Sequence, residues 1–165
     1  MILREATVRD VPVIRAIAHA TWPVAYGAIL SPQQLRYMLE LMYSEDALLE
    51  QLTVKGHRYA LVLLDDVAQG FAGFEHGFNR LPITRLHKLY VLPSAQGSGA
   101  GKRMIDHVVA RARDHGDIAV ELNVNRFNPA RTFYERHGFR IIRDEEIDIG
   151  SGFVMDDHVM RLDLR

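Results

Sequence analysis

The sequence contains no cysteine, which removes disulfides, Fe–S clusters, cysteine-based zinc sites and any cysteine nucleophile together. It lacks a surplus of either charge: 20 Lys and Arg stand against 21 Asp and Glu, a formal net charge of −1. So close a balance argues against a general nucleic-acid binder, whose surface carries a basic excess. No apolar run reaches the roughly 18 residues that a spanning helix needs. The opening Met1-Ile2-Leu3-Arg4-Glu5 meets charge too early for a signal peptide. These absences lead us to expect a soluble cytoplasmic protein with neither a nucleic-acid nor a membrane partner. Repeats, linkers and low-complexity segments are also missing. The 165 residues, 48% of them hydrophobic, therefore read as one domain spanning 1–165, long enough to bury about two-thirds of its unfolded surface.

What is present is an alternation of two periodicities. Residues 2–7 read as a short strand, and Asp10 is expected to cap a helix that carries Pro12 in its first turn. Ile14, Ile17, Ala18 and Thr21 form its apolar stripe, and Trp22–Gly27 reads as a loop. Ser31 with Gln34 reads as a capping box ahead of a second helix, whose stripe is Leu35, Met38, Leu39 and Met42. Ser44 caps a third, ending near Gly56. Strands are expected over Tyr59–Leu64 and Val67–Phe78, joined by the tight turn Asp65-Asp66, and over Thr84–Leu92. A helix with Met104, Ile105, Val108, Val109 and Ala112 inward then runs to Gly116. A strand over Ile118–Val124, a helix from Asn128-Pro129 to Gly138, and strands over Phe139–Ile149 and Phe153–Leu164 complete the chain. The fold class is α/β with a mixed sheet.

Gln96-Gly97-Ser98-Gly99-Ala100-Gly101-Lys102 lies between a strand and a helix. Glycines there let several amides point one way at the positive end of a helix, where a phosphate or pyrophosphate is held. A Walker loop needs a glycine where Gln96 stands and Ser or Thr where Arg103 stands, so ATP-dependent phosphoryl transfer is disfavoured. A dinucleotide fingerprint fails as well, because the place of its last glycine holds Lys102.

The pattern Gln96-x-x-Gly99-x-Gly101, directly after Leu89-Tyr90-Val91-Leu92-Pro93, resembles the acyl-CoA-binding segment of the GCN5-related N-acetyltransferase (GNAT) family. A second segment agrees: Leu122-Asn123-Val124, then Asn128, Ala130, Phe133-Tyr134 and Gly138-Phe139, is similar to that family's downstream motif. The resemblance is specific over residues 84–139 and loose before 57. It implies a twisted, mostly antiparallel sheet of six to seven strands flanked by helices, in the order β-α-α-β-β-β-α-β-α-β-β. It also implies acetyl-CoA as acyl donor and an N-acetyltransferase reaction. The main chain of Leu89, Tyr90 and Val91 would pair with the pantetheine arm. Gln96 belongs to the same motif, and the amides of Gly97, Ser98, Gly99, Ala100, Gly101 and Lys102 would hold the pyrophosphate. Asn128 would contact the cofactor, and Tyr134 would protonate the departing thiolate. An amide on the strand, from Val91, could polarise the thioester carbonyl. Lys102, Arg103 and Arg131 could reach the nucleotide phosphates, or be solvated surface charges.

The general base is open. Some relatives carry a glutamate where this chain has Asn123, which cannot accept a proton at neutral pH. His87 has an ordinary pKa of about 6.5, suited to a base, but could equally be a packed strand histidine. Glu75 is the reserve candidate. With no cysteine, direct transfer from acetyl-CoA is expected over an acyl-enzyme. No metal is expected, since the eight histidines show no zinc-ligand spacing. The acceptor pocket would be built from residues 22–30 and 144–157, with Trp22, Tyr26 and Tyr43 as lining candidates. Asp144, Glu145, Glu146, Asp148, Asp156 and Asp157 lie in that second segment. Their sign favours a cationic amine, though a solvated hairpin would carry the same residues. A small-molecule amine is the expected acceptor; a protein N-terminus or lysine, or a non-catalytic acyl-CoA-binding module, are the alternatives. The last strand is expected to offer an edge for a homodimer.

Overall fold

The computed structural model describes all residues 1–165. Seven strands form one sheet in the order β1-β2-β3-β4-β5-β7-β6. They are β1 (Ile2–Glu5), β2 (Arg58–Leu64), β3 (Val67–Glu75), β4 (Ile83–Val91), β5 (Ala119–Asn125), β6 (Arg140–Gly150) and β7 (Phe153–Asp163). Every neighbouring pair is antiparallel except β4 and β5. Helices α1 (Val11–Tyr26), α2 (Pro32–Tyr43) and α3 (Glu45–Thr53) follow β1, α4 (Ala100–His115) joins β4 to β5, and α5 (Ala130–Arg136) precedes β6.

Alternation along the strands divides the interior into two cores. Ala60 and Val62 of β2, with Ala72 and Phe74 of β3, face Met104, Ile105 and Val108 of α4. Tyr59, Leu61 and Phe71 face the other way, onto Ile14, Trp22, Met38 and Leu48 of α1–α3. The β2–β3 turn puts Asp65 and Asp66 at φ +50° and +63°. That is the double left-handed conformation that matches a hairpin's twist.

Three local expectations are corrected. Asp10 does not cap α1 through its side chain. Its carboxylate is drawn off by a two-pronged ion pair with Arg4 at 2.9 Å and by the Thr7 amide at 2.8 Å. Residues Trp22–Tyr26 are the last turns of α1 rather than a loop, with Pro23 inside the helix. A proline in mid-helix costs about 3 kcal/mol, and burying a large side chain returns about 1.5–3 kcal/mol. Trp22 is 2% exposed, while Pro23 and the carbonyl-bearing His19 four residues back are both exposed to water. Finally, β7 is not an edge strand. It lies between β5 and β6 because its Val159 and Met160 belong in the core. The outer position goes to β6, whose charged Arg140, Arg143, Asp144 and Glu146 discourage edge-to-edge pairing. The homodimer expectation loses its basis in β7.

Candidate active site

β4 and β5 pair only from Ile83–Ala119 to Leu86–Leu122, yet β4 runs on to Val91 and β5 to Asn125. Past Leu86 the strands part, and the main-chain groups on that side of β4 have no strand to pair with. Crevices of this kind, beyond the carboxyl ends of parallel strands, are where open α/β sheets take ligands. On the α4–α5 face the gap opens into a cleft of about 720 Å³. On the other face, under α1, α2 and the β6–β7 hairpin, lies a pocket of about 80 Å³. Tyr26, His87, Lys88, Tyr90 and Asn123 line both, so the two cavities meet at the gap.

The cleft is built largely from main chain. Gly99 at φ +88° is the residue before α4, a conformation open to glycine at little cost. The amides of Gly97, Gly99, Gly101 and Lys102 make no hydrogen bond within the protein, so four donors at a helix N-terminus face the cleft unpaired. A Cβ on Gly101 would sit 3.0 Å from the Phe133 ring, which is why the α4 start can lie so close to α5. Leu89, Tyr90, Val91, Gln96, Ala100 and Asn128 also line the cleft. Ser98 does not: its hydroxyl turns back to the Ala95 carbonyl at 2.5 Å. The Lys102 side chain pairs with Asp106, Arg131 with Glu135, and Arg103 reaches the Met1 carbonyl. Of these three only Lys102 lines the cleft, where the other cations are Lys88 and Arg136, with His137 beside them. Asn128 Oδ1 accepts the Ala130 amide at 2.9 Å just ahead of α5, and its side chain also reaches the Tyr26 hydroxyl. Tyr134 is 8% exposed, and its hydroxyl makes no hydrogen bond to the protein. Burial raises its pKa, with Tyr26 adding to the effect, so the phenol keeps its proton.

Trp22, Tyr26 and Tyr43 all line the smaller pocket, with Met38, Met42, Tyr90 and Met155. Tyr26 and Tyr90 are hydroxyl to hydroxyl at 2.9 Å. His87 is the extra residue of a bulge in β4, since Gly73 opposes Lys88 while Phe74 opposes Leu86. Its Nε2 lies 3.0 Å from Glu75 Oε1, and its ring stacks on His57 at 4.2 Å. Burial, Arg85 and Lys88 lower its pKa to about 3. Glu75 lines neither cavity; it sits between the two imidazoles, 3.3 Å from His57 Nε2. A second group, His76, His115 and Asp117, gathers at the far end of the sheet. The spacing test for metal ligands is blind to both groups, because their members come from different elements.

Sequence reasoning missed Lys88 and undervalued Asp157. Lys88 is 7% exposed; its Nζ is 2.6 Å from Tyr59 Oη, 2.8 Å from Gln51 Oε1 and 4.4 Å from the Tyr43 ring centre. Burial lowers its pKa to about 7. A lysine inside the apolar run of β4 was the signal available. Asp157 is 1% exposed, and its Oδ2 accepts the Asn123 side-chain amide at 3.2 Å. Asn123 Oδ1 in turn accepts the Arg85 guanidinium.

A sheet parted between β4 and β5, with bare amides on the helix after β4, is the frame of an acyl-CoA-dependent transferase. Residues 28–157 match the acetyltransferase (GNAT) domain, and the chain belongs to the GNAT family. It is 30% identical over 152 residues to an uncharacterized N-acetyltransferase of Mycobacterium tuberculosis, covering 92% of this chain and 96% of that one. It is 41% identical over 63 residues to the 5-NmdU N-acetyltransferase of Pseudomonas phage PaMx11, covering 38% of this chain and 43% of that one. In fold it is similar to the PaiA N-acetyltransferase of Thermoplasma acidophilum, solved in complex with coenzyme A. That match has a TM-score of 0.83 at 20% identity over 98% of both chains. The protein is thus an N-acetyltransferase whose donor is acetyl-CoA.

Proposed function

We propose that this enzyme acetylates a small-molecule primary amine in the cytoplasm, by direct transfer from acetyl-CoA. The observation that carries the reading is the closure of the acceptor side. Gln34 Nε2 donates to the Val154 carbonyl at 3.2 Å, Tyr37 Oη donates to the Ile149 carbonyl at 2.7 Å, and the Tyr37 and Phe153 rings lie 5.2 Å apart. These contacts tie α2 to the β6–β7 hairpin over the pocket. A peptide would need an open groove and free main-chain partners, as in strand addition; a pocket of about 80 Å³ suits a short amine.

In this reading the unpaired amides of Gly97, Gly99, Gly101 and Lys102 hold the pyrophosphate. The open side of β4 at Leu89, Tyr90 and Val91 takes the pantetheine amides, and Asn128 adds a contact. Tyr134 gives its proton to the leaving sulfur. Its raised pKa means that the transfer waits until the thiolate has formed. His87 and Glu75 act as a hydrogen-bonded support for the β4 bulge, because an imidazole with a pKa near 3 takes up little proton at neutral pH. The test is thiol release from acetyl-CoA with a panel of small alkyl and arylalkyl amines beside peptides with free N-termini or lysines. Turnover of small amines at least tenfold above that of peptides is expected; the reverse order overturns the reading.

A further inference from the structure

One residue lining the acceptor pocket has a carboxyl oxygen that nothing in the protein satisfies. Asp157 lines the pocket and is 1% exposed, yet its Oδ1 has no hydrogen-bond partner. Every cation near it is spent elsewhere. Arg85 is turned onto Asn123, Arg126 onto Asp144 and Asp156, Arg161 onto Glu121 and Asp163, and His158 onto Asp144. Lys88 gives its protons to Gln51, Tyr59 and the Met42 carbonyl. Burial raises its pKa, and Arg85 acts on it only through space; a buried carboxyl oxygen left without a partner is costly and calls for an explanation. The surrounding walls are Trp22, Tyr26, Met38, Met42, Tyr90 and Met155, an aromatic and thioether box that favours a cation attached to carbon.

We propose that Asp157 is a catalytic residue, receiving the acceptor's ammonium at Oδ1 and taking its proton. This rests on the small-amine reading above. The position on β5 where some relatives carry a glutamate holds Asn123, and Asn123 Nδ2 is hydrogen bonded to Asp157 Oδ2. Here the carboxylate beside that position stands on β7, and the asparagine orients it. Asn123 lines both cavities, so the carboxylate stands beside the gap where the donor's thioester would lie. The ammonium loses one proton to Asp157 Oδ1, and the freed lone pair forms the C–N bond as the C–S bond breaks. Tyr134 supplies the proton to sulfur and regains the second nitrogen proton through water in the cleft. The proton on Asp157 is the one released to solvent per turnover. The acceptor class is a primary alkyl or arylalkyl amine with no carboxylate near the nitrogen, since such a group would meet Asp157 and Glu145.

The test compares Asp157→Asn with Asp156→Asn, which removes the same charge one residue away on the hairpin. For Asp157→Asn, calorimetry with acetyl-CoA is expected to give a Kd within twofold of wild type, reporting an intact fold and donor site. Its kcat/KM for 2-phenylethylamine is expected to fall at least 100-fold. Asp156→Asn is expected to stay within threefold of wild type. Saturation-transfer NMR on the CoA-loaded enzyme is expected to detect 2-phenylethylamine but not 2-phenylethanol, and the preference to vanish in Asp157→Asn. Equal kcat/KM in Asp157→Asn and wild type, or equal losses in both variants, overturns the assignment. If wild type uses peptides instead, the substrate reading fails while Asp157 is judged by the same comparison on the peptide amine.

Discussion

The two faces of the gap are made in different ways. The α4 side offers main-chain groups: four unpaired amides on one loop and the unpaired edge of β4, with glycine keeping side chains out of the way. The α1–α2 side is a side-chain site, assembled from α1, α2, β4, β5 and β7, with no two of its polar groups adjacent in the chain except His87 and Lys88. A main-chain site depends on backbone shape and tolerates exchange of many side chains. A side-chain site can be retuned one residue at a time, so a fold shared by many transferases can keep one donor while changing its acceptor.

That contrast can be broken from either side. Gly101→Val, which drives a branched side chain into Phe133, is expected to weaken acetyl-CoA binding at least 100-fold by calorimetry. The closed pocket under α2 should be untouched, as judged by unchanged chemical shifts of its methionine methyls. Tyr134→Phe is expected to lower kcat by about 100-fold or more, the usual scale of a lost general acid, with acetyl-CoA affinity within twofold. Tyr37→Phe removes one of the ties between α2 and the hairpin, and a three- to tenfold rise in the amine's KM with kcat nearly constant is the expected result in steady-state kinetics.

The smallest effect concerns stability. His57, His87 and Lys88 have folded pKa values of about 4, 3 and 7 against ordinary values of 6.5, 6.5 and 10.5, lowered chiefly by burial. Each therefore binds its proton more readily when unfolded, and stability is lost as pH falls. Lys88 contributes mainly between about pH 10 and 7, the two histidines from about 6.5 down to 4 and below. Thermal melts are expected to shift downward by a few degrees from pH 8 to pH 5. A His57→Gln, His87→Gln double variant should flatten the slope below pH 6.5; an unchanged slope would show that the charge change lies elsewhere.

The same contrast explains what the sequence could disclose. Gln96, Gly99, Gly101, Asn128 and Tyr134 stand at fixed offsets because a loop and a helix start are local objects, and local spacing is legible. The succession of strands along the chain was also within reach, since each run of β-branched and apolar residues is bounded by turn residues; their order in the sheet was not, and β7 was expected at an edge. Pro23 misled because its local cost is outweighed by the distant packing of Trp22. Lys88 and Asp157 were hidden for a related reason: a charged residue in a strand reads as an exposed one until the partner elements are in place. The pairing of His57 with Glu75 and His87 likewise spans three elements that no spacing rule connects.

The parting of β4 and β5 also has a kinetic consequence. The cleft and the pocket lie on opposite faces of the sheet, and in the proposed reading coenzyme A and the acetylated amine would occupy separate sites, so that neither need wait for the other. Coenzyme A should then compete with acetyl-CoA while remaining noncompetitive toward the amine, and double-reciprocal plots for the two substrates should intersect rather than run parallel. A hole left in a sheet by two diverging strands would thus free each product from the other's departure.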